Sequence, residues 1–197
     1  MDKSLLHRRE AIILTSIEVI NDFGIQGLST REVARRQGIS EGTIFKHFRT
    51  KNELMLAILD HYSQYDADLV ETIRLKRLKP LEGIRFLMNA YAEYYHNYPQ
   101  ITAITQAYDV LYCDPNLKNK ISEIFTSRSD SLKALIIEAQ ESGGLSGTID
   151  SDILSQIILG STRGVCLKWR LGEYAFPLKE YIMETLDMIL SAFTLIK

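Results

Sequence analysis

The sequence has little of what marks a secreted, disulfide-bonded or membrane protein. Its two cysteines, Cys113 and Cys166, lie far apart and form no Cys-x-x-Cys motif, so a disulfide framework is not expected. The charged N-terminal residues do not form a signal peptide, and the most apolar later stretch, residues 153–160, is too short to span a bilayer. We therefore expect a cytoplasmic protein that makes no membrane contact.

Signals for strands and for catalysis are also missing. No Asn-Gly or Asp-Gly hairpin turn occurs, and apolar and polar residues show no sustained alternation. The four histidines have no metal-binding spacing, and neither His-Glu-x-x-His nor Gly-x-Ser-x-Gly is present. The stretch GGLSG, residues 143–147, lacks the lysine and the preceding strand of a phosphate-binding loop, so a helix-ending turn is expected there. The sequence thus favours a protein that is not an enzyme and needs no metal or other cofactor.

Helical periodicity is what the sequence does contain. The formal net charge of -2 excludes a uniformly basic coat, and 197 residues that are 46% hydrophobic are enough for one large or two small domains. Apolar spacings of three and four predict an all-α protein of about nine helices, short up to residue 50 and long and amphipathic beyond it. The helices predicted after residue 50 begin at about Lys51 and run past Leu69 to the basic run 74–79, and then cover 80–98, 100–112, 116–142, 151–172 and 177–194.

Residues 38–48, GISEGTIFKHF, predict a short helix with a polar start, preceded by another short helix at about Thr30–Gln37. Ser29 offers a hydroxyl cap for the first helix, with Glu32 three residues later in a capping-box arrangement. Gly38 ends that helix, and Ser40 caps the second. Two short helices joined by such a turn form a helix-turn-helix, whose second helix fits the DNA major groove.

The predicted second helix has two different faces. At 100° per residue Ile44 and Phe48 fall together on an apolar side, flanked by Glu41 and Phe45. The opposite side is small, polar or cationic and consists of Gly42, Thr43, Lys46 and His47. Residues 31–51 contain six basic against two acidic residues, a local excess of four positive charges that suits phosphate contact.

The run Leu28–Leu54, LSTREVARRQGISEGTIFKHFRTKNEL, resembles the N-terminal domain of the TetR family of bacterial transcriptional regulators. This resemblance implies a three-helix DNA-binding domain at residues 1–50 and a helical ligand-binding and dimerisation domain at 51–197. It implies DNA contact by Thr30, Ser40, Gly42 and Thr43, and phosphate contact by His47 and Lys51. The family more often has tyrosine where this chain has Phe45, so one hydroxyl contact is lost.

Individual side chains leave alternatives open. Phe45 can contact a thymine methyl group, Lys46 can reach either a guanine or a phosphate, and Glu41 is expected to serve the helix dipole. The full set of predicted DNA contacts is Thr30, Arg31, Ser40, Gly42, Thr43, Phe45, Lys46, His47 and Lys51.

Residues beyond 50 contain the candidates for ligand binding. Six of the ten tyrosines fall within residues 91–112, and tyrosine combines apolar area with a polar tip. They are either ordinary core and surface rings or part of a cavity for a hydrophobic or aromatic ligand. Trp169 fits a pocket or a subunit interface equally well. The predicted ligand-binding residues are Met88, Tyr91, Tyr95, Tyr108, Phe125 and Trp169.

The last two helices, about 151–172 and 177–194, are apolar on more than one side, and Gly160, Ser161 and Gly164 permit close helix approach. In the TetR family this pair forms the interface of a homodimer. The resemblance thus implies a homodimeric repressor of operator DNA, released when a small molecule tilts the helix that begins at Lys51. The alternatives are a DNA-binding dimer without a small-molecule inducer, and an activator.

Overall fold

The computed structural model describes residues 3–194 of the chain, and their side chains from His7 onward. These residues form eleven α-helices and no strand, which confirms the prediction of an all-α fold. Short 3-10 turns occur at Ile25–Gly27 and Pro99–Ile101. The helices are α1 (Lys3–Phe23), α2 (Thr30–Gln37), α3 (Glu41–His47), α4 (Lys51–Ser63), α5 (Asp66–Leu75), α6 (Pro80–Asn97), α7 (Thr102–Thr105), α8 (Tyr108–Tyr112), α9 (Lys118–Glu141), α10 (Ser151–Leu171) and α11 (Leu178–Phe193).

Two helices that the sequence predicts as continuous are broken, which accounts for eleven helices where about nine were expected. The helix from Lys51 ends at Ser63, and a second helix begins at Asp66. No glycine or proline marks that break. The Ser63 hydroxyl donates to the carbonyl of Leu59, a side-chain bond that competes with the helical ladder near its end. The segment 100–112 is divided in the same way into α7 and α8.

The first of two compact units comprises the chain through Gln64 together with Pro99–Ile124. Helix α1 lies at its centre and packs against α2, α4 and α7. The Gln37 amide at the end of α2 donates to the Ala11 carbonyl at 3.3 Å and to the Thr15 hydroxyl, so polar contacts also attach α2 to α1. The fully buried apolar side chains of the first unit include Ile12, Ile17, Val33, Ile44, Ile58 and Leu59.

The second compact unit comprises Tyr65–Tyr98 and the chain from Phe125 onward. Helices α6 and α11 form its most extensive contact, with α10 packed on α11 and α5 on α6. Pro80 at the first turn of α6 begins that helix, and Gly143 with φ 73° follows the end of α9, as the sequence predicted. Ile84, Leu87, Met88, Leu154, Ile158 and Ile182 supply its buried core.

The hydropathy of the helices sets one further limit. Among residues 3–194, no helix combines the length and the apolar character that a membrane crossing demands.

Candidate nucleic-acid interface

The turn between α2 and α3 is formed by three residues with different tasks. Gly38 adopts the left-handed conformation with φ 62°, which a side chain disfavours, and the Ile39 amide donates to the Ala34 carbonyl at 3.0 Å. Ser40 then caps α3, because its Oγ accepts from the Thr43 amide at 3.2 Å. The helix-turn-helix predicted from the sequence is therefore present with its expected glycine and cap.

Helix α3 is fixed to the first unit by its apolar side. Ile44 is fully buried and Phe48 is 1% exposed, and the Arg9 guanidinium lies 4.9 Å from the centre of the Phe48 ring. Phe45, by contrast, is 48% exposed. Because α3 is only two turns long, these two inward residues leave the other side of the helix facing outward.

The outward side carries small and polar groups. Gly42 and Lys46 are exposed, and Thr43 and His47 are half-buried. The hydroxyls of Ser40 and Thr43 lie 3.0 Å apart and share a hydrogen bond. An alanine Cβ at Gly42 would meet only the Ser40 hydroxyl, at 3.6 Å, so the bare backbone there is not required by packing within the protein.

Thr30 at the start of α2 has a partner that the sequence did not predict. Its hydroxyl donates to Oε1 of Glu41 at 2.6 Å, which joins the first residues of α2 and α3. A hydroxyl has a single proton to donate, so this bond competes with any DNA contact in which Thr30 would be the donor.

Two of the six cations counted between residues 31 and 51 are held by acids. The Arg35 and Arg36 guanidinium groups bind Glu32 at 2.7 and 2.9 Å, and Arg36 also binds Asp22 at 2.8 Å. The hydrogen bonds from Arg35, followed by those from Arg36, lower the pKa of Glu32 to about 2. Ser29 does cap α2, accepting from the Glu32 amide at 3.5 Å. The Glu32 carboxylate instead binds these arginines.

The remaining cations of the segment lie at the surface. Arg31, Lys46, Arg49 and Lys51 are exposed and form no ion pair within the described part of the chain. Lys51 begins α4, where the Thr50 hydroxyl accepts from the Glu53 amide at 3.0 Å. The interface therefore presents four exposed cations beside the outward side of α3.

In the second unit, the predicted ligand-binding residues are mostly buried. Met88 is fully buried and Tyr91, Tyr95 and Trp169 are each at most 5% exposed. The Trp169 indole donates to the Phe176 carbonyl at 2.8 Å, and its ring contacts Tyr174 with centres 4.7 Å apart. Trp169 thus fastens the segment between α10 and α11.

Phe125 does not lie with this buried set, since its side chain is 45% exposed. Ile121, Ile124 and Arg128 occupy the buried side of α9, and Phe125 follows Ile124 by one residue, about 100° around the helix. Tyr108 belongs to the first compact unit, where its hydroxyl is 3.0 Å from that of Tyr62. The structure therefore does not enclose Phe125 in the way its predicted role requires.

A buried ion pair in the second unit was missed by the sequence reading. Arg128 on α9 is 7% exposed and binds Asp66 through Nε at 2.6 Å and a terminal nitrogen at 3.0 Å. It also donates to the Tyr95 hydroxyl at 3.1 Å and lies 4.8 Å from the centre of the Tyr91 ring. An arginine four residues after Ile124 and four before Leu132 on an apolar stripe was the available signal.

Tyr94 lies beside this ion pair. Its hydroxyl is buried and has no hydrogen-bond partner within residues 3–194. Burial raises the pKa of Tyr94 to about 12, and the positive charge of Arg128 acts in the opposite direction. A buried hydroxyl of this kind ordinarily has an acceptor, so the Tyr94 hydroxyl departs from the usual pattern.

An all-helical protein with an outward-facing helix-turn-helix belongs to the class of DNA-binding regulators. Residues 12–58 match the family model "Bacterial regulatory proteins, tetR family", and residues 67–192 match "YsiA-like protein, C-terminal region". The chain belongs to the TetR family, and it is a DNA-binding transcriptional regulator. The resemblance seen in residues 28–54 is confirmed over nearly the whole chain.

Known proteins resemble the chain along most of its length but at low identity. It is 22% identical over 172 residues to the nucleoid occlusion factor SlmA of Vibrio cholerae, covering 87% of this chain and 88% of the other. It is 20% identical to the fatty acid metabolism regulator protein of Bacillus subtilis, with 91% and 92% covered.

Solved structures show the same fold. The ketosteroid transcriptional regulator KstR2 of Mycobacterium tuberculosis has a TM-score of 0.82 at 18% identity, with 96% of both chains covered. FadR of Bacillus subtilis in complex with stearoyl-CoA has a TM-score of 0.79 at 19% identity, with 93% of this chain and 98% of that one covered.

Proposed function

We propose that the protein is a homodimeric repressor that a small apolar molecule releases from its operator. The observation that carries DNA reading is the side of α3 opposite Ile44 and Phe48. Gly42 and Lys46 are exposed there and Thr43 is half-buried. The N-terminal residues of a recognition helix contact base edges in the major groove, while neighbouring cations hold phosphates.

Selection from a random duplex library tests this function directly. We expect the purified full-length protein to enrich one nearly palindromic sequence, because a two-fold dimer presents two copies of α3. Binding to the selected duplex, followed by fluorescence anisotropy, should weaken steeply as salt rises. If no sequence is enriched at low salt, the proposed function is wrong.

The dimer interface is proposed on α10 and α11. Ile153 and Ile157 on α10 are 57% and 41% exposed, and a Cβ at Gly160 or Gly164 would meet nothing within 4 Å. Further exposed apolar residues on these helices are Leu167 (44%), Leu171 (78%), Tyr181 (37%) and Met188 (73%). An apolar surface of this extent with small residues between favours a second copy of the chain.

Charge introduced on this surface tests the interface. We expect Ile157→Glu and Met188→Glu each to convert the dimer to monomer in sedimentation velocity, because a buried unpaired carboxylate is costly. Leu75→Glu is the matched control, since Leu75 is equally apolar and 72% exposed but lies on α5. A dimer that survives both changes would place the interface elsewhere.

The effector is proposed to be a long apolar molecule with an oxygen acceptor. The predicted residues Met88, Tyr91 and Tyr95 are buried in the second unit. The Tyr95 ring centre lies 5.9 Å from that of Tyr94, whose hydroxyl has an acceptor to gain. Support also comes from relatives, since one similar structure contains stearoyl-CoA and another is a ketosteroid regulator. A ligand of this kind would shift the protein away from its DNA-binding state, for which a coupling of about 1–3 kcal/mol is typical.

Stearoyl-CoA is a suitable first probe for the effector site, with coenzyme A alone as the matched control. We expect the acyl compound to lower affinity for the selected duplex by roughly 5- to 150-fold without dissociating the dimer. Tyr94→Phe should reduce this response while leaving DNA affinity without ligand unchanged. An acyl compound that has no effect would remove this ligand class.

A regulator without a small-molecule inducer is the second candidate. It is favoured by the ion pair of Arg128 and Asp66, in which the buried arginine already has an acidic partner within the protein. Reporter expression in cells with and without the protein separates repression from activation by its sign. Unchanged repression across apolar, steroid and acyl compounds would support this candidate.

A further inference from the structure

Glu41 is the acidic residue at the start of α3, exposed at the edge between the inward and outward sides of the helix. A carboxylate on a DNA-facing helix is repelled by phosphate, so it is unfavourable unless it faces a hydrogen-bond donor on a base. The side chain is exposed, and one of its oxygens, Oε1, is occupied by Thr30. The next residue, Gly42, adds no side chain beside it.

The hydrogen bond from Thr30 holds this carboxylate in one orientation. Its donor–acceptor distance of 2.6 Å is in the short range of bonds to a charged acceptor. Thr30 is eleven residues away at the start of another helix, so the bond restricts a side chain that would otherwise rotate freely. Preorganisation of this kind suits a residue that must find a single donor in the groove.

The chemistry of base edges determines which base such a carboxylate accepts. In the major groove guanine presents two acceptors and thymine presents an acceptor and a methyl group, so both disfavour a carboxylate. Adenine places an acceptor, N7, beside its N6 donor. Cytosine presents only the N4 donor at that edge and is therefore the base that a fixed carboxylate favours.

We infer that Glu41 reads a cytosine in each operator half-site and that Thr30 is the residue that positions it. This inference rests on the proposed DNA-binding function and adds a named base to it. It also assigns Thr30 a task other than the direct DNA contact that family resemblance implies. The helix dipole also favours an acid at this position, but a dipole contribution alone would be independent of operator sequence.

The test compares library selections by the full-length protein and its variants. The wild type should prefer cytosine at one position of each half-site by on the order of tenfold, the usual cost of one mismatched pair. Glu41→Gln should transfer that preference to adenine, because an amide pairs with adenine N6 and N7. Glu53→Gln is the matched control, because it removes the same charge at the start of α4 and should raise affinity for all sequences alike.

Thr30 variants test the positioning role. Thr30→Val, which has nearly the same shape without the hydroxyl, should weaken the preference at the same position, and Thr30→Ser should preserve it. A phosphate contact would instead lower affinity evenly for every sequence. If Glu41→Gln and Thr30→Val both still enrich a sequence with cytosine at the same position, the inference is overturned and the proposed function is not. If the wild type enriches no sequence, the inference and the proposed function are both overturned.

Discussion

The two compact units place their polar side chains in opposite ways. In the first unit the hydroxyls on the outward side of α3 are arranged by neighbours close in sequence, such as Ser40 and Thr43. In the second unit the buried Arg128 is paired with the largely buried Asp66, which lies 62 residues away. The difference suggests that the DNA-reading surface is a local structure presented outward, whereas the second unit gains a polar interior through long-range contacts.

The comparison extends to what each unit leaves exposed. Around α3 the exposed groups are mainly charged, with several cations and the Glu41 carboxylate beside one ring, Phe45. Helices α10 and α11 instead expose aliphatic residues such as Leu171 and Met188. A charged surface suits a polyanionic partner, and an aliphatic one suits a second protein surface. The following changes test whether the two units differ in this way.

The largest effect is expected from Arg128→Met. Removal of the Arg128 guanidinium leaves the largely buried Asp66 carboxylate without its partner. The free energy of unfolding should therefore fall by about 3–5 kcal/mol in urea denaturation. Arg85→Met is the control, because Arg85 forms an ion pair with Asp187 in which both side chains are about half exposed, and it should cost about 0–1 kcal/mol. Equal losses in the two variants would mean that the ion pair of Arg128 contributes no more to stability than the exposed pair of Arg85 and Asp187.

The next effect separates the two sides of α3. Ile44→Ala removes a fully buried side chain and should lower the free energy of unfolding by about 2–5 kcal/mol. Phe45→Ala changes an exposed ring and should cost less than about 0.5 kcal/mol while weakening binding to the selected duplex. Thermal denaturation and anisotropy on the same preparations measure both quantities. If Phe45→Ala binds DNA as the wild type does, Phe45 does not belong to the DNA-contacting side of α3.

A smaller effect is expected at the turn. Gly38→Ala forces a Cβ into the left-handed conformation and should cost about 1–2 kcal/mol. Gly42→Ala has space for its Cβ and should leave stability unchanged. Because the added methyl group lies where the backbone approaches the duplex, Gly42→Ala should nevertheless weaken DNA binding. Equal stability losses in the two glycine variants would contradict this account of the turn.

The smallest effect concerns pH. Arg35 and Arg36 lower the pKa of Glu32 from its ordinary 4.5 to about 2, so the folded state favours its charged form. The resulting stabilisation is complete above pH 4.5 and is lost as pH falls towards 2. The difference in unfolding free energy between wild type and Glu32→Gln should therefore be constant above pH 4.5 and shrink below it. Glu18→Gln, exposed on α1, is the control and should not reproduce that narrowing.

The sequence predicted features whose cause lies within a few residues. Gly38, Ser40 and the buried pair Ile44 and Phe48 follow from caps, left-handed glycine and a 100° helical step, and the structure has each of them. Family resemblance added the architecture of the second unit. The division of the chain after residue 50 and the individual DNA contacts stay predictions.

Features with a distant cause were not predicted. The break after Ser63 has no glycine or proline to signal it, and Asp66 acquires its importance from Arg128, which lies on another helix. The bond between Thr30 and Glu41 depends on the angle between α2 and α3, which residue spacing does not encode. Phe125 is exposed although Ile124 beside it is buried, because one residue turns a helix by about 100°, and its ligand contact stays a prediction.

The capture of Arg35 and Arg36 by Glu32 and Asp22 has a kinetic consequence. Each cation that is paired within the protein makes no phosphate contact, so one fewer condensed counterion is released when the protein binds DNA. Counterion release supplies most of the affinity for DNA of random sequence. A regulator with fewer phosphate contacts dissociates sooner from non-operator DNA and samples more sites on the chromosome in a given time. Asp22 on α1 and Glu32 on α2 would thus shorten the search for the operator without contacting the DNA.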